Sequence, residues 1–333
     1  MRTGLHGVDP EAAAEDWLLA SKEPAVRWLT LTEVIERSPR SAAVRVARAA
    51  WAKGPWVVRL LSGQRANGGF GVHPYQKWTG AHWRLVSLVE LGMPEGHPRG
   101  VSAAGQVLRW LGGESHLVGI RTIRGRVRRC ASQEGNALAV CSRLGLAEDP
   151  RVAALAASLQ EWQWPDGGWN CDKVAAARHS SFYESLAPLW GLVEYHHATG
   201  DSAAQSAARR AAGLFLRHRL FRHETNGAVI DPEWLRLHYP LYWHYDVLQG
   251  LVLLGRAVGL GDRRLAEALR IVASKRQPDG RWRAEGWYWG LTRARRPKIR
   301  ASDVDVVNWG RGGPNTMITL NALRVLRGAG RSA

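Results

Sequence analysis

Hydrophobic residues recur at the spacing of a helix face along most of the chain, and alternating apolar–polar runs stay only a few residues long. Two kinds of helical stretch follow one another. Residues 186–193 and 247–254 are almost wholly apolar, whereas residues 263–275 carry many charges. This difference predicts an all-α fold with very apolar inner helices and more polar outer helices. We place the inner helices at residues 79–91, 132–144, 182–196, 242–257 and 315–326.

Three similar polar turns connect an outer helix to an inner one. Their sequences are QRANGGF at 64–70, QWPDGGW at 163–169 and QPDGRW at 277–282. Weaker copies between them make about five helical hairpins over residues 60–328, after N-terminal helices within residues 16–52. Each hairpin needs its neighbours to cover its apolar face. We therefore expect a single domain over residues 1–333, closed into a ring around an apolar pocket.

These turns resemble the QW motif of the triterpene (squalene-hopene) and diterpene cyclases and of the related protein prenyltransferase β subunits. The turn at 163–169 matches the whole motif, the turn at 277–282 is one residue shorter, and the turn at 64–70 ends on phenylalanine. The similarity extends over nearly the whole chain. It implies an α/α toroid, which is two concentric layers of helices, with a cavity that takes isoprenoid chains. It also implies that the QW turns are structural.

Class II terpene cyclases protonate an alkene or an epoxide with the middle aspartate of an Asp-x-Asp-Asp motif. The chain has Asp303 and Asp305 at the first two aspartate positions, and Val306 at the third. The resemblance implies that Asp305 is the proton donor and that Asp303 assists it. The family motif begins an inner helix, whereas nine residues separate Asp305 from the next predicted helix here. The alternative is a pair of loop carboxylates that bind nearby arginines.

A second candidate for acid–base chemistry lies where an inner helix is predicted to begin. Tyr242 and Asp246 are four residues apart and would share a helix face, with His244 between them. A buried carboxylate beside a tyrosine and a histidine can act as an acid or a base. Aromatic rings around it can stabilise a carbocation. The alternative is a hydrogen-bonded core network. We expect the catalytic residues among Asp246, Tyr242, His244, Asp305 and Asp303.

Other aromatic and polar side chains near the starts of inner helices are candidates for substrate binding. The 17 tryptophans, against four phenylalanines, supply wide apolar walls for such a pocket. An arginine-rich segment at 121–129 could bind a diphosphate head group, and Mg²⁺ would then be the cofactor. Without a diphosphate we expect no cofactor. The candidates for substrate binding are Trp78, His82, Trp83, Glu134, Tyr183, Glu184, Tyr245, Trp309 and Asn315.

The three cysteines follow no metal-binding pattern. Cys130, Cys141 and Cys171 are an odd number without a CxxC spacing, which predicts unliganded thiols in a reducing cytoplasm. Protein prenyltransferases would need zinc held by an aspartate, a nearby cysteine and a histidine, and no Asp-x-Cys occurs here. Cys171 with Asp172 and His179 is a mixed ligand set, but its spacing fits no zinc pattern. We therefore expect no metal.

The net charge of +17 favours anionic partners, which are phosphorylated small molecules, a membrane surface or nucleic acid. The alternative is a solvated, arginine-rich surface. No nucleic-acid-binding module is present, so nucleic acid is not expected, whereas peripheral membrane contact remains open. No apolar run reaches the roughly 18 residues that span a bilayer, and the N-terminus lacks the apolar segment of a signal peptide. These features predict a cytoplasmic protein.

The leading functional hypothesis is an enzyme that acts on an isoprenoid or similar apolar substrate by acid-initiated cyclisation or isomerisation. The incomplete aspartate motif favours an alternative, a non-catalytic carrier of an apolar ligand. A third hypothesis is a toroid recruited to another reaction, with Tyr242, His244 and Asp246 at its centre.

Overall fold

The computed structural model describes residues 9–291 and 304–331. None of the helices in this part of the chain has both the length and the apolar character needed to cross a membrane. Short 3-10 turns at Trp51–Lys53, Pro232–Leu235 and Arg263–Leu265, and a π-helical turn at Thr30–Val34, connect some of them. The α-helices are α1 (Pro10–Leu19), α2 (Pro24–Leu29), α3 (Ala42–Ala49), α4 (Pro55–Leu61), α5 (Ala81–Glu90), α6 (Pro98–Leu111), α7 (Glu114–Leu117), α8 (Ser132–Arg143), α9 (Pro150–Glu161), α10 (Phe182–Thr199), α11 (Ser202–Arg217), α12 (Val247–Val258), α13 (Ala266–Ser274) and α14 (Thr316–Gly330).

Five of these helices form a row of buried helices. Within this row α5 contacts α8, α8 contacts α10, α10 contacts α12 and α12 contacts α14. Nine of the ten residues of α5 and ten of the twelve residues of α8 are buried, and α10 is mostly buried except in its last turn. A second set of helices is amphipathic, and each member contacts two consecutive helices of the row. They are α6 on α5 and α8, α9 on α8 and α10, α11 on α10 and α12, and α13 on α12 and α14. The all-α prediction is therefore confirmed.

The first and last described helices pack together. α14 contacts α1, α2 and the π-helical turn, and α4 contacts α5 at the other end of the row. Arg327 on α14 donates to Oε1 of Glu11 at 2.6 Å and to the carbonyl of Val34 at 2.8 Å. It also forms an ion pair with Glu15. The N-terminal segment therefore covers the side of α14 that α12 leaves free.

The QW-like turns are built around a glycine with positive φ. Gly68, Gly167 and Gly280 have φ angles of +84°, +99° and +81°, a region that favours glycine. A backbone hydrogen bond closes each turn, as from Trp164 N to the carbonyl of Gly168 at 2.8 Å. The shared geometry explains why the three sequences are alike although they lie far apart in the chain.

The glutamines of the turns do not all have the same role. The Gln163 side-chain amide donates to the carbonyl of Gly167 at 2.7 Å and to that of Ala207 on α11 at 2.9 Å. It thereby joins the turn to the neighbouring helix. Because the third turn is one residue shorter, Gln277 is displaced, and its amide donates to the carbonyl of Lys275 at 3.2 Å instead.

One predicted helix start is wrong. The helix predicted from residue 242 begins at Val247, whereas the helix predicted from about residue 79 begins two residues later, at Ala81. Tyr242 has a φ of +56°, so its backbone cannot belong to a right-handed helix. Asp246 is instead the residue that caps α12, accepting a hydrogen bond from Gln249 N at 2.9 Å.

A short hairpin lies where no strand was predicted. β1 (Arg121–Ile123) pairs antiparallel with β2 (Arg126–Arg128). The two connecting residues, Arg124 and Gly125, have φ angles of +50° and +71°, as in the tight turns that join hairpin strands. Three residues per strand are too few for a period-two pattern to stand out in the sequence.

Candidate functional site

A narrow cavity lies among α5, α8, α10, α12 and the loop before α12. Its volume is about 30 Å³, which is room for one or two water molecules. Aromatic side chains form much of its wall: Tyr183, Trp190, Tyr242, Trp243 and His244. Most of the remaining lining residues are apolar, and the polar ones are Glu90, Asn136 and Gln249, of which Glu90 supplies the carboxyl group.

A second small cavity, of about 20 Å³, adjoins the first. Glu90, Trp190, Gln249 and Leu253 line both of them, so the two cavities are neighbours. The character of the wall changes between them. Three arginines from three helices of the buried row reach the second cavity, and these are Arg143, Arg256 and Arg324.

Glu90, the last residue of α5, lies between the aromatic cavity and the arginine-lined cavity. Its Oε2 atom accepts a hydrogen bond from the Tyr239 hydroxyl at 3.2 Å. Burial raises the pKa of Glu90 from 4.5 to about 7, and Tyr239 and the arginines oppose that rise only in part. The carboxyl group therefore keeps its proton to a higher pH than an exposed glutamate does. Sequence reasoning missed this residue, although a lone acid in the apolar run of α5 is a usable signal.

The arginine-lined cavity carries more basic than acidic groups. Glu194 accepts hydrogen bonds from Arg143 at 3.2 Å and from Arg256 at 3.3 Å. Arg324 forms an ion pair with Glu33 at 2.5 Å. Three guanidinium groups thus share two carboxylates, and Glu90, with its raised pKa, adds only part of a further negative charge. This end of the site would favour an anionic group.

The structure brings together two predicted catalytic residues that the sequence treated as rivals. The Tyr242 hydroxyl donates to the buried carboxylate of Asp305. The same carboxylate accepts from Trp309 Nε1 at 2.9 Å, from Val306 N at 2.6 Å and from Val307 N at 3.3 Å. Burial raises the pKa of Asp305, whereas these four hydrogen bonds lower it. Asp303 lies outside the described residues.

Two tryptophan rings pack against the ring of Tyr242. Its ring stacks on Trp78 with centroids 4.0 Å apart and meets Trp83 edge-on at 5.4 Å. Three of the predicted site residues therefore form one aromatic cluster. The cluster joins the cavity, through Tyr242, to the carboxylate of Asp305, which does not itself line the cavity.

Asp246 does not share a helix face with Tyr242, contrary to the prediction. Its Oδ2 atom accepts from His238 N at 2.8 Å, while Oδ1 caps α12. His244 is stacked between Trp243 at 3.8 Å and Tyr288 at 3.5 Å. Burial lowers the pKa of His244 to about 3, so its ring is neutral at physiological pH. Tyr242, His244 and Asp246 thus each contact different residues and do not form the predicted group.

Several predicted substrate-binding residues have contacts within the core. The Tyr245 hydroxyl donates to the carbonyl of Leu220 at 2.8 Å. Asn315 caps α14 through its side-chain oxygen. His82 is buried, and burial lowers its pKa to about 3. These three side chains are part of the packing around the cavity and do not line it.

The arginine-rich segment turns partly inwards. Its last residue, Arg129, is buried and forms an ion pair with Glu134, which also contacts His116 Nε2 at 3.0 Å. One arginine of the segment predicted to bind a diphosphate is therefore neutralised by a carboxylate of α8. The other predicted acid in this region, Glu184, is buried near Cys171.

A larger pocket opens beside the central cavity. It has a volume of about 410 Å³ and an apolar floor that includes Phe182, Leu214, Ile230 and Trp234. Tyr183 lines both this outer pocket and the central cavity. Its hydroxyl accepts a hydrogen bond from Trp234 Nε1 at 3.0 Å. Tyr183 thus separates the two spaces.

Comparison of the chain with protein families, with characterised proteins and with solved structures finds no match. The case for a function therefore rests on the geometry of the cavity and of the helices around it.

Proposed function

We propose that the chain is an α/α toroid enzyme that carries out acid-initiated cyclisation or isomerisation of an isoprenoid or similar apolar substrate. In this proposal Glu90 is the acid. The observation that carries it is the position of the Glu90 carboxyl group, with a pKa of about 7, in the wall of an aromatic cavity between buried helices.

The helices that contact the QW-like turns support the toroid. A Cβ added to Gly68 would lie 2.2 Å from the carbonyl oxygen of Ser102 on α6, and one added to Gly167 would lie 2.3 Å from that of Arg210 on α11. In each case the turn contacts the next amphipathic helix along the chain. The third turn, at Gly280, instead meets the backbone of Pro10 on α1. The N-terminal helix thus takes the place of the next outer helix, as a closed ring requires.

An alkene is a very poor base, and this sets the conditions that its proton donor must meet. An acid that protonates it must hold its proton at neutral pH, away from water. Glu90 meets the first condition because burial raises its pKa, and the apolar wall provides the second. The π faces of Trp190 and Tyr242 can then stabilise a developing cation. The arginine-lined cavity would bind an anionic head group, such as a diphosphate.

The substrate needs more room than the central cavity has in this conformation. A cavity of roughly 150 Å³ is needed to bind even benzene, whereas the central one has about 30 Å³. The outer pocket, at about 410 Å³, is large enough for an isoprenoid chain. We therefore propose that the substrate enters through the outer pocket and displaces Tyr183. The outer pocket also favours a second candidate function, a carrier that holds an apolar ligand there without reaction.

Wild-type protein should be incubated in D₂O with a panel of isoprenyl diphosphates and neutral polyenes, and the products analysed by mass spectrometry. We expect one substrate to yield a deuterated cyclised or isomerised product. Glu90→Gln should lower that rate by about 10² to 10⁴, the usual contribution of a general acid. Glu267→Gln, which removes a carboxylate of α13 that binds Arg222 away from both cavities, is the control and should retain most activity.

Two outcomes would contradict the assignment. If Asp305→Asn abolished turnover while Glu90→Gln retained it, Asp305 would be the acid. If the wild type bound a member of the panel tightly and converted none, the carrier function would replace the enzyme.

A further inference from the structure

Two cysteines that are distant in the sequence lie side by side in the fold. Arg129 N donates to the carbonyl of Asn170 at 3.1 Å, and this backbone hydrogen bond joins the residues that precede Cys130 and Cys171. The segment after β2 is thereby held against the segment that follows the second QW-like turn. Because the two cysteines are far apart in the chain and have no CxxC spacing, no sequence pattern pairs them.

A buried carboxylate completes this cluster. Glu184, in the first turn of α10, lies with its Oε1 atom 3.5 Å from Cys171 Sγ. The Sγ atoms of Cys130 and Cys171 and a carboxylate oxygen of Glu184 are all within 4.8 Å of one another. The other carboxylate oxygen, Oε2, accepts a hydrogen bond from Ser132 N at 3.0 Å. One oxygen is therefore anchored to α8 while the other faces the two sulfur atoms.

These separations suit a tetrahedral zinc ion. With Zn–S bonds of about 2.3 Å and Zn–O bonds of about 2.1 Å, two ligand atoms of a tetrahedron lie roughly 3.6 to 3.8 Å apart. The observed sulfur–oxygen distance of 3.5 Å is already close to such an edge. Thiolate ligands select zinc and other thiophilic ions over Mg²⁺ or Ca²⁺.

The surroundings also favour a bound cation. Glu134, on the adjacent helix, is buried, and its Oε2 atom is without a hydrogen-bond partner among the described residues. Its Oε1 atom is bound by Arg129. Near the cysteines there is thus a buried carboxylate oxygen that the described side chains leave unsatisfied, and a divalent cation close by would stabilise it.

We propose that Cys130, Cys171 and Glu184 form a Zn²⁺ site with three protein ligands and one open position. Cys130 and Cys171 are half-buried, so the fourth position is accessible from solvent, as in zinc sites that bind a water molecule or a substrate. The hydrogen bond from Ser132 N orients Glu184 in the way that outer-shell contacts orient metal ligands. The site is separate from the Glu90 cavity, and the inference does not depend on the proposed reaction.

The test uses the full chain, purified without chelators and then loaded with Zn²⁺ or Co²⁺. We expect about one metal ion per chain by elemental analysis. The Co²⁺ form should show a thiolate-to-cobalt charge-transfer band and strong visible bands of tetrahedral cobalt. Chelation of the metal should make two further thiols reactive towards a thiol reagent.

Variants then identify the ligands. Cys130→Ser and Cys171→Ser should each weaken zinc binding by at least about tenfold, measured by competition with a chromophoric chelator. Glu184→Gln should weaken it to a similar degree. Cys141→Ala is the matched control, because Cys141 is a buried thiol of α8 outside the cluster, and it should bind zinc like the wild type. Far-UV circular dichroism checks that each variant is folded.

Two results would overturn the proposal. One is reduced wild-type protein that binds neither Zn²⁺ nor Co²⁺ while all its accessible thiols stay reactive. The other is equal zinc affinity in Cys171→Ser and Cys141→Ala. Mass spectrometry without reductant would detect a Cys130–Cys171 disulfide as the loss of two hydrogen masses. Such a disulfide would count against the zinc site if the reduced protein also failed to bind the metal.

Discussion

Asp305 is buried and Glu90 is partly buried, and their hydrogen bonds assign them different roles. Asp305 accepts hydrogen bonds from Tyr242, Trp309 and two backbone N–H groups, and donors of this kind stabilise a carboxylate. Glu90 accepts one, from Tyr239, and burial is the largest influence on both groups and raises the pKa of each. Asp305 therefore suits an anchor that holds its loop, and Glu90 suits a proton donor.

The anchor role of Asp305 can be tested through Tyr242. Tyr242→Phe should lower the free energy of unfolding by about 1.5 to 3 kcal/mol, because it removes a hydrogen bond to a buried charged group. Tyr245→Phe is the matched control. It removes a hydrogen bond of 2.8 Å to the neutral carbonyl of Leu220, which should cost only about 1 kcal/mol. Urea unfolding measures both, and equal losses would count against a charged partner for Tyr242.

Sequence reasoning identified both Tyr242 and Asp305 but could not pair them. The two residues are 63 positions apart and meet only because the loops before α12 and α14 converge. The link between Tyr242 and Asp246 was wrong because it assumed a helix where Tyr242 has positive φ. Glu90 was missed because its pKa depends on burial by four other helices, which no local pattern records.

At the scale of the elements, the glycine turns explain why the hairpins repeat. Each turn places a glycine where a side chain would collide with a neighbouring helix. In the second and third turns the tryptophan that follows is buried and its indole N–H donates to the preceding helix, as from Trp169 Nε1 to the carbonyl of Leu159 at 2.9 Å. The QW-like sequence therefore encodes a close contact between helices. This is why the sequence located the hairpins well, while the exact helix starts depended on loops that have no such signal.

Two alanine substitutions separate the energetic cost of the close contact at the second turn from the cost of its positive φ angle. Gly167→Ala must tolerate a φ of +99° and a Cβ that would lie 2.3 Å from the carbonyl oxygen of Arg210. Gly200→Ala has a similar φ, +76°, but nothing within 4 Å of the new Cβ. Thermal or urea unfolding should show that Gly167→Ala costs about 1 to 3 kcal/mol more than Gly200→Ala. Equal costs would mean that the turn does not pack tightly on α11.

At the scale of the whole molecule, the N-terminal and C-terminal helices hold each other. Arg327 on α14 bonds Glu11 and Glu15 on α1 and the carbonyl of Val34. Gly280 packs on Pro10 of the same helix. If the chain is the closed ring that we propose, these contacts join its two ends. Their loss should loosen both ends together.

Arg327→Ala tests this closure. We expect hydrogen exchange to become faster in α1 and α14, because both lose the contacts that join them. Exchange in α8 and α10, at the far side of the buried row, should stay at the wild-type rate. Arg264→Ala, which removes only the local ion pair with Asp262, is the control and should change neither end. Faster exchange in α14 alone would contradict a closed ring.

The central claim is that the cavity contains an acid that holds its proton near neutral pH. The most direct measurement is a pH titration of the glutamate side-chain carboxyls by ¹³C NMR, with Glu90→Gln to assign the Glu90 signal. Because burial raises the pKa in the folded chain, stability should fall as pH rises from 4.5 to 7, and the Glu90 signal should titrate with a midpoint of about 7. A midpoint near the ordinary value of 4.5 would mean that Glu90 is ionised at neutral pH, and the proposed acid would not exist.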